Sequence, residues 1–168
     1  RRSRARHYLL CLALLASCLF SRSFDYDVMP EWRENGDELF ATWNGWSLLE
    51  EGRPRGWSMW STAYRGAVSI ESFSYFGQDH QVIEPYFEHP PLLHFLVGGV
   101  AQLAGAQHWS HARLSDTRWV PIVLSLLSML VLIAVGRRAF PNSAAAYLAA
   151  GLYSVLPNIA LQSRVIKE

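Results

Sequence analysis

Residues 119–136 read WVPIVLSLLSMLVLIAVG, a run of eighteen residues without a charge. A helix of that length measures about 27 Å, close to the ~30 Å hydrocarbon core of a bilayer. Arg137 and Arg138 follow the run, and basic residues favour the cytoplasmic end of a span. A second uncharged run occupies residues 141–163. The sequence therefore predicts a membrane protein with spans at 119–136 and 141–163.

The N-terminal segment is another apolar region, and it has several interpretations. Residues 1–7 contain four arginines, and residues 8–20 are apolar and uncharged. This pattern suits a membrane anchor, with a span over 8–24, or a secretory signal peptide. The residues that end at Cys18 also resemble a bacterial lipobox, which would make the protein a lipoprotein anchored through that cysteine. The two later spans favour the membrane anchor.

Composition separates this chain from several classes of protein. Of its 168 residues 51% are hydrophobic and only 17% are charged, whereas soluble domains carry about 25% charged residues. The net charge of +1, with no basic stripe beyond the N-terminus, counts against a nucleic-acid partner. The mean hydropathy of +0.07 requires a large polar segment between the spans. Both ends look cut, so we expect the N-terminal piece of a longer protein.

The polar segment 25–118 is predicted to be one outer loop. The positive-inside rule keeps the basic N-terminus in the cytoplasm, so this loop lies on the other side of the membrane. Residues 92–106 are apolar but too short to span, and we expect them not to cross. Residues 61–87 suggest an irregular loop with short strand-like pieces. We therefore predict an all-α integral membrane fold, with N-terminal transmembrane helices and a large outer loop that contains interfacial helices.

One interfacial helix is predicted over residues 36–51. Its apolar residues recur at helical spacing, at Leu39, Trp43, Trp46 and Leu49. Asp37 is a plausible N-cap, and Gly52 with Pro54 would end the helix. Tryptophans on one face suit a helix that lies in the membrane interface, and we expect them to anchor it there rather than to stack on a sugar.

Several motifs occur in an order that resembles a known family. They are Gly36-Asp37-Glu38-Leu39-Phe40, Gly45-Trp46-Ser47-Leu48-Leu49-Glu50-Glu51-Gly52, Tyr86-Phe87-Glu88-His89-Pro90-Pro91-Leu92, Arg118 at the start of a span, Arg137-Arg138-Ala139-Phe140, and Ser163-Arg164 with Glu168. Together they resemble the N-terminal part of GT-C glycosyltransferases of the protein O-mannosyltransferase and aminoarabinose (lipid A) transferase type.

The resemblance implies a multi-span enzyme in the plasma (inner) membrane. Such an enzyme moves a sugar from a polyprenyl-phosphate donor to an acceptor on the non-cytoplasmic face, with inversion, and the acceptor is a protein, a lipid or a glycan. Known members are several hundred residues long, so this chain alone is expected to be inactive. The alternative is a non-enzymatic polytopic membrane protein, such as a transporter or an assembly subunit.

The resemblance also implies roles for acidic residues. Asp37 is the candidate general base, which takes the proton of the acceptor hydroxyl as the anomeric carbon is attacked, and Glu38 supports it. Glu168 matches the second acidic position of the family. We expect Asp37, Glu88 and Glu168 on the same side of the bilayer, around a phosphate. The competing interpretation is that Asp37 only caps its helix.

A metal site is predicted at Glu88 and His89, which precede Pro90-Pro91. The residue before a proline is biased to an extended conformation, so this pair should lie in a rigid turn. Carboxylate and imidazole suit a divalent metal such as Zn, Mn or Mg, which would neutralise the donor phosphate. A polar turn at the membrane surface is the alternative.

Two arginines are candidate phosphate contacts. Arg118 precedes the span at 119–136, and its guanidinium could pair with a lipid phosphate, or it could anchor the span at the interface. Arg164 could contact the same phosphate. It could instead pair with Glu168, four residues on, if the helix continues that far.

Overall fold

The computed structural model describes residues 2–29, 36–58, 68–75, 77–86, 89–141 and 144–166. In chain order the elements are α1 (Arg2–Ser23), α2 (Gly36–Glu50), β1 (Val68–Tyr75), β2 (Gln78–Ile83), α3 (Pro91–Leu103), a 3-10 turn (Trp109–His111), α4 (Leu114–Thr117), α5 (Trp119–Ala139), α6 (Ala145–Val155) and α7 (Pro157–Gln162). The chain forms two compact units. The helical unit comprises residues 1–30 and 118–166, and the mixed unit comprises residues 31–117 with 167–168.

The helical unit packs α1 against α5 and α6. Its core contains Cys18 of α1, Met129 and Ile133 of α5, and Ala150 of α6. Contacts near both ends of α1 show how it runs relative to α5. His7 lies beside Arg137 at the end of α5, whereas Arg22 lies beside Ser125 nearer its start. Helix α1 is therefore antiparallel to α5.

The outer surface of this unit is apolar. Leu9 and Leu12 of α1, Val131 and Val135 of α5, and Leu148 of α6 are each at least 60% exposed. Within the described residues, one helical stretch, Leu114–Ala139, is long and apolar enough to cross a bilayer. An exposed apolar surface of this kind is expected where lipid, rather than water, surrounds the helices.

The segment 141–163 was predicted as one span, but the structure divides it into two helices. Helix α6 ends at Val155, and Leu156 has φ −63° and ψ 119°, an extended conformation. Pro157 then begins α7, which has only six residues. The break follows from the clash of a proline ring with a helical conformation in the residue before it.

The mixed unit is built on the packing of α2 against α3. His94, Val97, Gly98 and Ala101 form the buried face of α3. Gly45 of α2 lies directly on the backbone of α3, where a Cβ atom would overlap the carbonyl of His94. With thirteen residues, α3 measures about 20 Å and is shorter than the hydrocarbon core, in keeping with the predicted non-crossing segment.

The mixed unit contains a β-hairpin over residues 68–83, so the all-α prediction is wrong for these residues. Strands β1 and β2 pair antiparallel with Phe73 opposite His80, and the register shifts between Val68 and Ser72. Gly77, with φ +76°, lies in the turn between the strands, in the left-handed region that glycine adopts without a steric penalty. The strand-like pieces suggested by residues 61–87 correspond to this hairpin, and the rest of the described chain is mostly helical.

The tryptophans of α2 are core residues, which corrects the predicted interfacial face. Trp43 stacks on Trp109 with ring centroids 4.9 Å apart, and it also contacts Phe73 of β1. The indole N–H of Trp46 donates to the Ala106 carbonyl. Trp43 and Trp46 are 4% and 6% exposed. Packing against the hairpin and the 3-10 turn leaves neither ring free to lie in a membrane interface.

Candidate functional site

The acidic pair lies in the first turn of α2, with the two side chains in opposite environments. Asp37 is exposed, whereas Glu38 is 1% exposed. Because α2 begins at Gly36, Asp37 belongs to the first turn and is not the N-cap that the sequence suggested. The positive end of the helix dipole favours a carboxylate there. Asp37 is thus accessible to a substrate, and Glu38 belongs to the interior.

A buried polar contact links α2 and α3 to Tyr86, which lies three residues after the end of β2. The Asn44 side-chain oxygen lies 2.8 Å from Nδ1 of His94, and its amide donates to the Tyr86 carbonyl at 3.2 Å. Asn44 and His94 are each 1% exposed. Buried polar groups are kept only with hydrogen-bond partners, so this contact fixes the orientation of the His94 ring.

The predicted metal pair is only partly described. Glu88 lies outside the described residues, whereas His89 is half-buried with its ring 6.4 Å from that of His94. Within the described parts of the chain, no three His, Cys, Asp or Glu side chains are close enough to hold one ion. His89 can supply one ligand, and the metal stays a prediction that needs Glu88 and further groups.

Arg118 is placed in the interior of the helical unit, 0% exposed, immediately before α5. Its guanidinium donates to the Tyr26 carbonyl at 2.7 Å, in the turn that follows α1. Arg118 is thus held by a contact within its own unit, and both the phosphate role and the anchoring role stay predictions.

Arg164 is also buried, 7% exposed, and it contacts the same end of α1. Its Nη2 donates to the Ser21 carbonyl at 2.7 Å, while its Nε is buried without a hydrogen-bond partner in the described structure. Because α7 ends at Gln162, the helix does not continue to residue 168. The condition for an Arg164–Glu168 pair on one helical face is not met, and Glu168 lies outside the described residues.

Arg22 is a third buried arginine, and the sequence alone did not mark it as a candidate site residue. It is 0% exposed. Its Nε donates to the Ser125 hydroxyl at 2.5 Å, its Nη2 to the Tyr153 carbonyl at 3.1 Å, and its Nη1 to the Ser154 carbonyl at 3.3 Å. The guanidinium carbon also lies 4.9 Å from the Tyr153 ring centroid. Arg22 thus joins α1 to α5 and α6.

The three arginines influence one another electrostatically. Burial lowers the pKa of Arg164 below its usual value, the Asp25 carboxylate raises that pKa, and the charges of Arg118 and Arg22 lower it further. Three buried guanidinium groups thus gather at one end of the helical unit, with Asp25 as the acidic residue that acts on Arg164. A buried charge that is incompletely paired favours the binding of an ion of opposite sign.

The predicted meeting of Asp37, Glu88 and Glu168 stays a prediction, since Glu88 and Glu168 lie outside the described residues.

Comparison with known proteins supports the family resemblance. Residues 88–167, somewhat less than half of the chain, match the family described as dolichyl-phosphate-mannose-protein mannosyltransferase. The resemblance to GT-C glycosyltransferases is thereby confirmed for this part of the sequence. The matched segment includes Arg118 and Arg164, whereas Asp37 and Arg22 precede it. No curated protein and no solved structure matches the chain.

Proposed function

We propose, on the premise that residues 88–167 carry the dolichyl-phosphate-mannose-protein mannosyltransferase pattern, that this protein transfers a sugar from a polyprenyl phosphate to an acceptor. The transfer occurs in the plasma (inner) membrane, on the non-cytoplasmic face, and inverts the anomeric carbon. The family points to mannose as the first sugar to test. The acceptor is a protein, a lipid or a glycan.

The observation that carries the proposal is the buried guanidinium of Arg164. It is more than nine-tenths buried, its Nε has no partner in the described structure, and Arg118 and Arg22 lower its pKa. Guanidinium groups bind phosphate oxygens through strong charge-assisted hydrogen bonds. A phosphate that carries at least one negative charge would satisfy the Nε–H and offset the excess positive charge. Within the family context, that phosphate is the one on the lipid-linked donor.

Asp37 provides the base in the proposed reaction. Its exposed carboxylate takes the proton of the acceptor hydroxyl while the hydroxyl oxygen forms a bond to the anomeric carbon. The bond between that carbon and the phosphate oxygen breaks, and the polyprenyl phosphate leaves with the electron pair. Arg118 and Arg164 stabilise the negative charge on the leaving phosphate. Glu38 supports Asp37, and Glu168 takes the second acidic position of the family.

A divalent metal at Glu88 and His89 is a separate proposal. It would supply a positive charge to the donor phosphate, a role that metals commonly take in phosphate chemistry. The transfer reaction proposed for Asp37, Arg118 and Arg164 does not depend on this metal. Loss of transfer on treatment with a chelator, with recovery on addition of Zn²⁺, Mn²⁺ or Mg²⁺, is the expected result if the metal takes part.

The test is a transfer assay in membranes from cells that express the full-length protein. The donor is polyprenyl-phosphate [³H]mannose, and the product is radiolabelled protein, lipid or glycan. Asp37→Asn should lower transfer at least about 100-fold, the usual contribution of a general base. Glu50→Gln, an exposed acid in the last turn of the same helix, is the matched control and should retain activity.

Two results would count against the proposal. Retained transfer in Asp37→Asn would remove the assignment of the base, and absence of mannose transfer by the unaltered protein would favour another sugar or the non-enzymatic alternative. Pentose donors, such as polyprenyl-phosphate aminoarabinose, separate those two possibilities. Transfer of the pentose would support a glycosyltransferase with a different donor sugar. Absence of transfer from either donor would reject the proposed glycosyltransferase activity.

A further inference from the structure

A second group of basic side chains lies at the other end of the helical unit. His7 of α1 is hydrogen-bonded to the Tyr147 hydroxyl of α6 at 2.6 Å. Nη1 of Arg137, in the last turn of α5, lies 2.9 Å from Nε2 of the same imidazole. Because a guanidinium only donates, the imidazole accepts this hydrogen bond. Three helices therefore meet in one polar contact.

The charge at this end is entirely positive. Arg6 and Arg138 are exposed neighbours of His7 and Arg137, and these four residues are called here the basic rim. Neither residues 1–24 nor residues 117–166 contain an aspartate or a glutamate. The carboxylates of the helical unit, Asp25 and Asp27, follow the opposite end of α1. The basic rim thus has no carboxylate of its own unit to neutralise it.

The position of the basic rim matches a membrane interface. Arg118 and Arg137 mark the two ends of α5, and the eighteen residues between them correspond to about 27 Å of helix, nearly the thickness of the hydrocarbon core. Tyr8 and Leu148, next in sequence to His7 and Tyr147, are 63% and 66% exposed. Apolar side chains so close to the rim place it at the level where acyl chains meet headgroups.

We propose that the basic rim binds the phosphate of an anionic phospholipid from the surrounding bilayer. Arg137 uses one nitrogen on His7 and retains other N–H groups, while the exposed Arg6 and Arg138 bring two more charges to the same level. A phosphodiester accepts such hydrogen bonds, and its acyl chains lie against the apolar surface below. The proposal is independent of the proposed transferase activity and needs neither Asp37 nor Arg164.

A lipid is a better match than a soluble anion because of the surroundings. Leu9 and Val135, one turn or less from His7 and Arg137, are at least 60% exposed and would be costly to leave in water. A soluble phosphate would neutralise the charge and leave this apolar surface uncovered. A phospholipid satisfies both requirements with one molecule.

The experiment measures lipid retention by the detergent-solubilised protein. Mixed micelles contain equal amounts of dioleoyl-phosphatidylglycerol and dioleoyl-phosphatidylcholine, and native mass spectrometry counts the lipids that stay bound. The unaltered protein should retain the anionic lipid at least about tenfold over the zwitterionic one. Arg137→Gln/Arg138→Gln should remove the preference, as should 1 M NaCl, since salt screens exposed charges.

Control variants distinguish lipid binding at the basic rim from nonspecific attraction of anionic lipid to any exposed arginine. Arg113→Gln removes an exposed arginine of the mixed unit and should leave the preference unchanged. If the double variant does not fold, Arg6→Gln/Arg138→Gln replaces it, because both side chains are exposed and lie outside the His7–Tyr147 contact. Equal retention of the two lipids, or a preference that survives either double substitution, would overturn the proposal. So would displacement of the lipid by millimolar inorganic phosphate, which would identify a site for a soluble anion.

Discussion

Gly45 of α2 and Gly98 of α3 bring two helix backbones into direct contact in the mixed unit. A Cβ atom on Gly98 would overlap the carbonyl group of Gly45, and one on Gly45 would overlap the carbonyl of His94. Glycine lacks that atom, so the helices approach more closely than any other residue would allow. This approach brings Asn44 within hydrogen-bond distance of His94.

Substitution of either glycine should therefore destabilise the mixed unit. Gly98→Ala puts a methyl group into backbone atoms, which cannot move away as the end of a flexible side chain would. We expect a loss of at least about 2 kcal/mol, within the range known for overpacked interiors. Thermal unfolding followed by tryptophan fluorescence measures it, since Trp43 and Trp46 are buried in this unit.

The neighbouring Gly99 supplies the control. Its nearest contact for a Cβ atom is the Leu49 side chain at 3.7 Å, an ordinary van der Waals distance. Gly99→Ala should leave stability unchanged or raise it by up to about 1 kcal/mol, because alanine is the better helix former. Equal effects of Gly98→Ala and Gly99→Ala would disprove the close backbone contact.

Arg22 should be essential for the helical unit. Its guanidinium donates hydrogen bonds to groups on α5 and α6, and Arg22→Met leaves the Tyr153 and Ser154 carbonyls without this donor. Hydrogen bonds to charged groups contribute about 1.5–3 kcal/mol each, so we expect a loss of about 3 kcal/mol or more. Thermal unfolding in detergent provides the measurement.

The geometry also predicts how stable two further variants are relative to Arg22→Met. Arg22→Lys keeps the charge but cannot donate in the same fork-like directions, so its stability should fall between those of Arg22→Met and the unaltered protein. Arg138→Met, an exposed arginine of the same unit, should change stability by less than about 0.5 kcal/mol. A harmless Arg22→Met would show that its hydrogen bonds do not hold the helices together.

Local patterns were sufficient to predict some elements of the fold. The apolar run 119–136 became the core of α5, and the helical spacing in 36–51 matched α2 to within one residue. Gly52, with φ +68°, follows the end of α2 as expected of a left-handed glycine. These features depend on residues within a few turns of one another, which a single sequence displays directly.

Distant contacts explain what the sequence could not predict. Trp43 is covered by Phe73 and Trp109, which are far away in sequence, so its apolar face was assigned to lipid. Arg22 ends an apolar run, and its acceptors at Ser125 and Ser154 lie more than one hundred residues later. Amphipathic spacing shows that a face is buried, but it does not identify the partner.

Loss of the Asn44 side chain should destabilise the mixed unit without unfolding it. Asn44→Ala removes the acceptor near His94 Nδ1 and the donor to the Tyr86 carbonyl, both in the interior. Unsatisfied buried polar groups cost about 1–3 kcal/mol, and we expect a loss in that range. The measurement is thermal unfolding, with exposed Gln107→Ala as the control in the same unit. Equal stability of the two variants would contradict the structural role of the Asn44–His94 contact.

Arg164 should behave differently from Arg22, because its charge is disfavoured by folding when no ligand is bound. Burial lowers its pKa, so the folded chain holds this proton less tightly than the unfolded chain does. Its contribution to stability therefore rises with pH only in the alkaline window between the lowered pKa of the folded chain and the ordinary pKa of an arginine in the unfolded chain. At neutral pH the buried charge costs stability, and an anion would relieve that cost.

Arg164→Gln should consequently leave the ligand-free protein about as stable as before, since the amide can still donate to the Ser21 carbonyl. Added polyprenyl phosphate should raise the unfolding temperature of the unaltered protein by several degrees and that of Arg164→Gln by much less, through ligand linkage. Gln162→Ala, an exposed neighbour at the end of α7, should respond like the unaltered protein. An equal rise in Arg164→Gln would show that this guanidinium does not bind the lipid phosphate, and a large loss of stability without ligand would assign Arg164 a structural role like that of Arg22.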